Sequence, residues 1–224
     1  MSGYAVLWSG GKDSLLALQR AREGGLRVRR LLNFHDASSG RVRFHATRVE
    51  MLEAQAGRLA PELTSLATTW DEMDARLREE LGVLARDGFV GVVLGDIHLA
   101  DVRVWYEERV TGAGLAHVEP LWQEAPIALL AEFVERGNRA VVTCVDTERL
   151  DASWLGRELD AAFLREVESA GIDPCGENGE YHSFAYAGGG FAAPVGWSAG
   201  ARRDSGRFLQ LDLVPKEQPN TGSA

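Results

Sequence analysis

The segment Ser9-Gly10-Gly11-Lys12-Asp13-Ser14 decides the fold and the first candidate site of this 224-residue chain. An apolar run from Ala5 to Trp8 precedes the segment and predicts a buried strand. After the segment, apolar residues recur at helical spacing as far as Gly24-Gly25, a pattern typical of a helix that ends at glycine. The segment is therefore predicted to be a loop between a strand and a helix.

A glycine loop in this position suits a phosphate group. Gly10 and Gly11 let the backbone approach an anion closely, the amide groups and the helix N-terminus attract negative charge, and Lys12 adds a full positive charge. The Walker loop is excluded because Val6 stands where that pattern has glycine, and Asp13 follows the lysine where it has serine or threonine. The alternative is an ordinary glycine turn in which a polar side chain caps the helix.

The first half of the chain continues as alternating strands and helices. Apolar runs predict further strands at 28–34, 63–67, 89–94 and 115–118, and helical spacing predicts helices at 49–59, 73–84 and 101–111. Five strands separated by four helices predict an α/β fold with a parallel five-stranded doubly wound sheet, similar to a Rossmann fold. Sites in such sheets lie at the carboxyl ends of the strands, which here carry Ser9 to Ser14, His35-Asp36 and Gly95-Asp96.

The pattern changes after Pro120. We expect a helix at 125–136, a strand at 140–145, a helix at 155–170 and a strand at 208–214, with a segment rich in glycine and charge at 173–191. The chain is therefore predicted to have a nucleotide-binding domain over 1–120, a smaller C-terminal α/β substrate domain over 121–214, and a disordered tail over 215–224.

Composition restricts the partners. Thirty-three acidic and 24 basic residues give a net charge of −9, which argues against nucleic acid as a partner. No apolar window approaches the roughly 20 residues of a membrane span and no secretory signal is evident, so we expect a cytoplasmic protein without membrane contact. Cys144 and Cys175 are too far apart for a CxxC pair and are interpreted as reduced thiols. The only lysines are Lys12 and Lys216, which makes Lys12 conspicuous.

Several motifs resemble those of known enzymes. The loop from Ser9 to Ser14 resembles the pyrophosphate loop (PP-loop) of the N-type ATP pyrophosphatases, which cleave ATP between its α and β phosphates. Further along the chain, four segments are similar to the ordered signatures of the diphthine-ammonia ligase family: Gly95-Asp96-Ile97, Asp101-Val102-Arg103, Pro120-Leu121-Trp122, and CGENGEYHSF from Cys175 to Phe184. This family joins an ATP pyrophosphatase domain, similar to the adenine nucleotide α-hydrolases, to a smaller substrate domain.

The resemblance implies an ATP-dependent amide-forming ligase. Such an enzyme adenylates a carboxylate of a modified histidine on elongation factor 2 with release of pyrophosphate, and ammonia then displaces AMP. It implies ATP and Mg²⁺ as cofactors, ammonia and a diphthine-like carboxylate acceptor as partners, and a possible homodimer. Bacterial members lack that acceptor, so a bacterial chain would act on another carboxylate. The chain departs from the family pattern at Ser183, where threonine is usual, and at Gly188-Gly189-Gly190, where a proline-containing segment is common.

The candidate site residues follow from these motifs. Nucleotide binding is expected of Ser9, Gly10, Gly11, Lys12, Asp13, Ser14, His45, Gly95, Asp96 and Arg103, with Asp96 also as a magnesium ligand. Catalytic roles are expected of Lys12, Asp13, Glu177, Glu180 and His182. Lys12 would neutralise charge on the leaving pyrophosphate, and the second group, on a glycine-permitted turn, would bind ammonium, take its proton or hold magnesium.

Structural alternatives remain open for most of these residues. Asp96 is equally suited to cap the following helix, and Arg103 and His45 are of types that commonly lie on the surface. The CGENGEYHSF segment also reads as a solvated acidic turn, and a zinc site from Cys175, Glu180 and His182 lacks an evident fourth ligand.

Two other functions compete with the ligase. A PP-loop enzyme that modifies tRNA is disfavoured by the net charge and, for thiolation, by the absence of a CxxC pair. A regulatory module that binds ATP without chemistry would not need the CGENGEYHSF segment.

Overall fold

The computed structural model describes residues 2–43 and 45–216, which form two sheets and their flanking helices. The strands are β1 Gly3–Leu7, β2 Val28–Asp36, β3 Arg41–Val42, β4 Glu62–Thr68, β5 Phe89–Val93, β6 Ala116–Val118, β7 Arg139–Asp146, β8 Tyr181–Ala187, β9 Trp197–Asp204 and β10 Phe208–Pro215. The helices are α1 Lys12–Glu23, α2 Val49–Leu59, α3 Met73–Arg86, α4 Ala100–Gly112, α5 Pro126–Glu135 and α6 Ala161–Ala170, with a 3₁₀ turn at Ala152–Trp154.

The first sheet confirms the predicted parallel arrangement. Its five parallel strands run in the order β4-β2-β1-β5-β6, and the two-residue strand β3 pairs antiparallel with the end of β2. The chain winds outward from β1 in one direction through β2 and β4 and in the other through β5 and β6. The carboxyl ends of β1 and β5 therefore lie side by side at the point where the strand order reverses, which is where such sheets bind ligands.

Helices cover both faces of this sheet. Leu77, Leu81 and Leu84 of α3 pack on one face together with Val110 of α4. Helices α1 and α2 pack on the other face, and their apolar residues belong to the same core cluster as those of the second sheet. Among the described residues, no helix is long and apolar enough to cross a membrane.

The second sheet is antiparallel, with the order β8-β7-β10-β9. It packs on the side of α1 and α2, so that Val141 of β7 and Phe184 of β8 share a core with Leu16 of α1. This packing brings β8 against the loop that follows β1, where the backbone amide of Ala185 donates to the carbonyl of Gly10 at 2.8 Å.

The second half differs from the sequence prediction in four places. The helix predicted at 155–170 is wrong in its first part, because α6 begins only after Asp160, whose carboxylate accepts the amides of Ala162 and Phe163 at 2.9 and 2.8 Å. Strand β8 lies within the glycine-rich segment, so His182 is on a strand rather than on a turn, and β9 was not predicted. The predicted disordered tail begins at Pro215, which ends β10, and its residues 217–224 lie outside the described part of the chain. The domain boundary near residue 120 stays a prediction.

Candidate active site

The glycine loop bends directly from β1 into α1. Gly10 has a φ of +80°, which favours glycine, and a Cβ there would lie 2.8 Å from Oε1 of Gln55. A Cβ on Gly11 would lie 2.9 Å from Cε1 of His45. Helix α1 begins at Lys12 without a side-chain cap, so the amides of its first turn lie at the loop. Gly10 is therefore favoured both by the turn and by a close neighbour, whereas Gly11 is favoured by its close neighbour alone.

Lys12 is a buried cation at the start of α1. Its side chain is 5% exposed, and its Nζ donates to Oδ2 of Asp13 at 2.8 Å and to the carbonyl oxygen of Cys175. Nζ also lies 5.0 Å from the ring centroid of Tyr181, within range of a cation–π interaction. Burial opposes the charge, but the interactions with Asp13, Tyr181 and Cys175 together outweigh it and raise the pKa of Lys12 well above its usual value. Lys12 therefore keeps its positive charge at neutral pH.

The turn before β8 closes over Lys12. Gly176 and Gly179 have φ values of +70° and +85°, and a Cβ on Gly176 would lie 2.6 Å from the carbonyl oxygen of Tyr181. This tight turn directs the Cys175 carbonyl to Lys12 and places Oε2 of Glu177 3.4 Å from the amide of Ile97. The CGENGE segment thus joins the loop after β1 to the loop after β5.

Strand β8 holds the glycine loop from the other side. The Oγ of Ser183 accepts the amide of Lys12 at 3.2 Å, and the Ser183 carbonyl lies 3.2 Å from Nδ1 of His45. A threonine at this position would retain the hydroxyl that accepts the Lys12 amide. The departure from the family pattern at Ser183 therefore keeps the chemical group that the loop uses.

Two carboxyl groups that line the cleft have pKa values close to neutrality. Burial, with the nearby charges of Glu119 and Asp13, raises the pKa of Asp96 to about 7. Burial, with the nearby charge of Asp13, raises the pKa of Glu177 to about 8, although Lys12 opposes this shift. Gly95 lets the chain that carries Asp96 approach the glycine loop closely, since a Cβ on Gly95 would lie 3.1 Å from the backbone of Asp13. Both groups can exchange a proton near pH 7.

Two histidines lie beside the loop with neutral rings. The ring centroids of His45 and His182 are 4.7 Å apart. Burial lowers the pKa of His45 to about 4, although the Ser183 carbonyl opposes the shift. Burial, together with the neighbouring His45 and Lys12, also lowers the pKa of His182 well below its usual value. At neutral pH both imidazoles are therefore uncharged donors and acceptors.

These groups line one cleft of about 950 Å³, near the upper end of the range for small-molecule sites. Besides polar groups, the cleft is lined by the aromatic residues Trp8, Trp70 and Trp105. Of the residues predicted from the sequence, the cleft brings together Ser9, Lys12, Asp13, Ser14, His45, Gly95, Asp96, Glu177 and His182. Gly10 and Gly11 shape the loop behind its surface. The carboxyl end of β2 contributes Asn33 and Phe34 to the cleft, whereas the predicted His35-Asp36 lies outside it.

Besides the two loop glycines, two predicted site residues lie outside the cleft. Glu180 is buried on the far side of the turn, where its Oε1 lies 3.2 Å from the amide of Asp173 and 3.4 Å from Nη1 of Arg149. Arg103 is paired with Glu119 and lies over the ring of Trp122 at 4.9 Å. Neither placement supports the role predicted for the residue, because each side chain is engaged in a local ion pair.

The structure does not assemble the alternative zinc site. The Cys175 thiol donates to the carbonyl of Pro126 at 3.3 Å, while Glu180 is directed toward Arg149. Over residues 2–43 and 45–216, no group of three or more His, Cys, Asp or Glu residues is arranged to hold a metal ion.

Two residues that organise the cleft were not predicted. Gln55 of α2 is fully buried, and its Nε2 donates to the carbonyls of Gly10 and Ala185 at 2.9 and 2.6 Å. Asp173 accepts the amide of Cys175 at 2.8 Å and pairs with His98 at 2.8 Å. A glutamine among the apolar residues of α2 was a visible signal for Gln55, whereas nothing in the sequence distinguished Asp173.

The parallel sheet, the glycine loop with its buried lysine, and the cleft at the strand-order reversal define a nucleotide-binding α/β protein. Family models for the diphthamide synthase N-terminal domain and the diphthamide synthase C-terminal domain match residues 2–116 and 125–195. The chain therefore belongs to the diphthamide synthase family, which confirms the resemblance found in its motifs. The family is one of ATP-dependent ligases of diphthamide synthesis. No protein of known and curated function matches the chain.

Proposed function

We propose that this protein adenylates a carboxylate acceptor with release of pyrophosphate and then forms an amide with ammonia, releasing AMP. The buried cation of Lys12, placed at the start of α1 and facing the cleft, is the observation that carries this proposal. A developing negative charge on the leaving pyrophosphate is stabilised by a fixed positive charge and by amides of a helix N-terminus. The acceptor that the family implies is diphthine on elongation factor 2.

In the first step, a carboxylate oxygen of the acceptor forms a bond to the α-phosphorus of ATP, and the bond to pyrophosphate breaks. Lys12 and the loop amides hold the β and γ phosphates during this exchange. Ser9 and Ser14, whose hydroxyl oxygens are 3.4 Å apart, face the cleft and add donors to the same anion site. The neutral rings of His45 and His182 border the loop and bind the nucleotide without adding charge.

In the second step, ammonia attacks the acyl carbon and AMP leaves. The nitrogen must lose protons as the amide forms, and a base with a pKa near the working pH is best suited to accept one. Glu177, whose pKa is raised to about 8, meets this condition and lies close enough to Lys12 for the two charges to interact. Glu177 is therefore the group that we assign to ammonia handling.

The cleft also fits a magnesium ion that arrives with the nucleotide. Mg²⁺ prefers oxygen ligands and is commonly held by one or two carboxylates together with substrate phosphates and water. The carboxylates of Asp13 and Asp96 line the cleft near the loop and are of the required type, and Asp96 is the proposed protein ligand. When bound, the ion would add positive charge at the phosphates. The cytoplasmic location and the homodimer stay predictions of the sequence.

Product analysis tests the proposed reaction. ATP, Mg²⁺ and ammonium are incubated with the protein and a diphthine-bearing elongation factor, and the nucleotides are separated by chromatography. AMP and pyrophosphate are expected, and formation of ADP and phosphate would contradict the reaction class. If ATP binds but no AMP forms with this acceptor, the acceptor assignment is wrong.

A lysine comparison tests the site itself. Lys12→Ala is expected to abolish AMP formation because it removes the cation from the loop. Lys216→Ala is the matched control, since Lys216 is the only other lysine and is exposed beyond β10. Equal activity of the two purified variants would refute the phosphate role of Lys12.

A further inference from the structure

A second, smaller cavity adjoins the main cleft. It measures about 260 Å³ and lies between the β3 hairpin of the first sheet and strands β9 and β10 of the second. The two cavities share Val42, Arg43 and Trp70 as a common wall. We call this smaller cavity the Arg203 pocket, after the residue of β9 that lines it. A ligand in the main cleft that extends past Trp70 enters the Arg203 pocket.

The pocket has an uncompensated positive charge. Arg41 and Arg43 line it but have counter-charges, Arg41 with Asp212 at 2.7 Å and Arg43 with Asp36 at 3.7 Å. Arg203 is exposed and, within the described part of the chain, has neither an ion pair nor a side-chain hydrogen bond.

The wall shared with the cleft is an exposed aromatic side chain. Trp70 is 64% exposed, more than any other large apolar side chain in the described part of the chain. The guanidinium of Arg43 lies 4.5 Å from its ring centroid, and the buried Nε of Arg43 has no hydrogen-bond partner. Exposed aromatic and arginine side chains are the residues that most often anchor a protein partner.

From these observations we infer that the Arg203 pocket binds a carboxylate side chain of an acidic peptide segment on the acceptor protein, while the reacting carboxylate lies in the main cleft. A guanidinium binds a carboxylate through two parallel hydrogen bonds, and Arg203 has its donors available for this contact. The peptide backbone would cross Trp70 between the two cavities. The inference deepens the proposed function, because it assigns an acidic protein segment as the class of acceptor.

The neighbouring residue on β9 provides a matched control. Arg203 pairs in register with Gln210, which also lines the pocket, whereas Arg202 pairs with Leu211. Successive strand residues point to opposite faces of a sheet, so Arg202 has the same charge and exposure on the other face. Arg203→Glu and Arg202→Glu therefore change the net charge equally and only the first changes the pocket.

The test measures binding of a fluorescent hexaglutamate peptide by anisotropy, with saturating ATP present to occupy the loop. We expect Arg203→Glu to bind the peptide about tenfold more weakly than the wild type and Arg202→Glu to bind within about twofold, since only one of them reverses a charge that contacts the peptide. Equal weakening by both variants, or no binding to the wild type, would overturn the inference. Equal binding of inorganic phosphate and hexaglutamate would do the same, because it would show a simple anion site.

The outcome is separable from that of the proposed reaction. Peptide binding requires no turnover, so its dependence on Arg203 is measured independently of which nucleotide products form. If the protein binds the peptide through Arg203 but forms ADP, the role of the pocket is supported and the proposed reaction class is refuted. If the protein forms AMP but neither peptide nor acceptor binding depends on Arg203, the reaction class is supported and the role of the pocket is refuted.

Discussion

Replacing Asp212 with alanine is expected to destabilise the protein by about 3 to 5 kcal/mol, the range for breaking a buried ion pair by removal of one partner. Asp212 of β10 joins the two sheets, since its carboxylate accepts from Nη1 of Arg41 at 2.7 Å and from Nε of Arg48 at 2.9 Å. Arg41 and Arg48 form the two ends of the hairpin that carries His45 to the cleft. Nη1 of Arg41 also donates to the carbonyl of Ala46 at 2.6 Å, so the same guanidinium orders the hairpin.

The magnitude rests on Arg41 rather than on Arg48. The side chains of Asp212 and Arg41 are 4% and 9% exposed, so removal of the carboxylate leaves a buried cation with one remaining backbone acceptor. Arg48 is 37% exposed, so water can replace most of the contacts that its guanidinium loses with the Asp212 carboxylate. The Arg48 pair therefore contributes about 1 kcal/mol or less to the destabilisation. The expected value therefore stays near the range for a single buried pair.

Urea unfolding at pH 7, followed by circular dichroism, measures the change in the free energy of unfolding. Asp71→Ala is the control, because Asp71 is an exposed aspartate in the connection between β4 and α3. A difference between the two variants of less than about 0.5 kcal/mol, the scatter of ordinary surface substitutions, would refute the role of the pair.

The loss of stability caused by Asp212→Ala should depend on pH. The hydrogen bonds from Arg48, and after them the one from Arg41, hold the pKa of Asp212 well below its usual value. A depressed pKa in the folded state contributes stability that is present above the unfolded pKa of about 4 and is lost as the pH falls toward the folded pKa. The difference between the wild type and Asp212→Ala should therefore shrink below about pH 4.

Two further predictions concern the cleft. Gly11→Ala places a Cβ 2.9 Å from Cε1 of His45 and should weaken ATP binding, measured by calorimetry, by about tenfold, the equivalent of about 1.4 kcal/mol of strain. Gly57→Ala is the control, because a Cβ there has no atom within 4 Å, and it should bind ATP as the wild type does. Equal affinities of the two variants would contradict the close contact at Gly11. The pKa of about 8 for Glu177 predicts that AMP formation rises between about pH 7 and 9 as this carboxyl group ionises, and a profile unchanged by Glu177→Gln would exclude Glu177 as the group that titrates.

The local elements were predictable because their signals lie within a few residues. A strand, two glycines and a helical apolar pattern are sufficient to place β1, the loop and α1. Strand β8 gave no such signal, since Phe184 and Tyr186 on one face and Ser183 and Ala185 on the other are all buried, which removes the alternation of polar and apolar residues.

The error at the start of α6 has a different cause. Leu155 and Leu159 have helical spacing and are both buried, but they lie in extended chain beside β7. Gly156 between them has a φ of +84°, which a helix does not permit. The apolar residues were therefore correctly predicted as core, while the backbone that carries them was not.

The site required contacts that no local pattern encodes. Gln55 and Ala185 are 130 residues apart in sequence, and Asp173 reaches His98 across 75 residues. Motif spacing identified the groups that face the cleft, but it assigned Glu180 to the site with them. On the turn before β8, Glu177 points to the cleft and Glu180 to Arg149, a distinction made by the backbone of two glycines rather than by residue type.

Hydrogen bonds connect the glycine loop after β1 to the CGENGEYHSF segment, and these contacts suggest why both motifs occur in one chain. A module that only binds nucleotide needs the loop after β1 and the strand ends of the first sheet. Here the backbone of that loop is hydrogen-bonded to β8 through Gly10 and Lys12, and the Lys12 ammonium is held by the Cys175 carbonyl. Any movement of the CGENGE turn on binding an acceptor would therefore change the position of the cation that faces the phosphates. This connection favours a site in which acceptor binding and phosphate chemistry are coupled over a module for nucleotide binding alone.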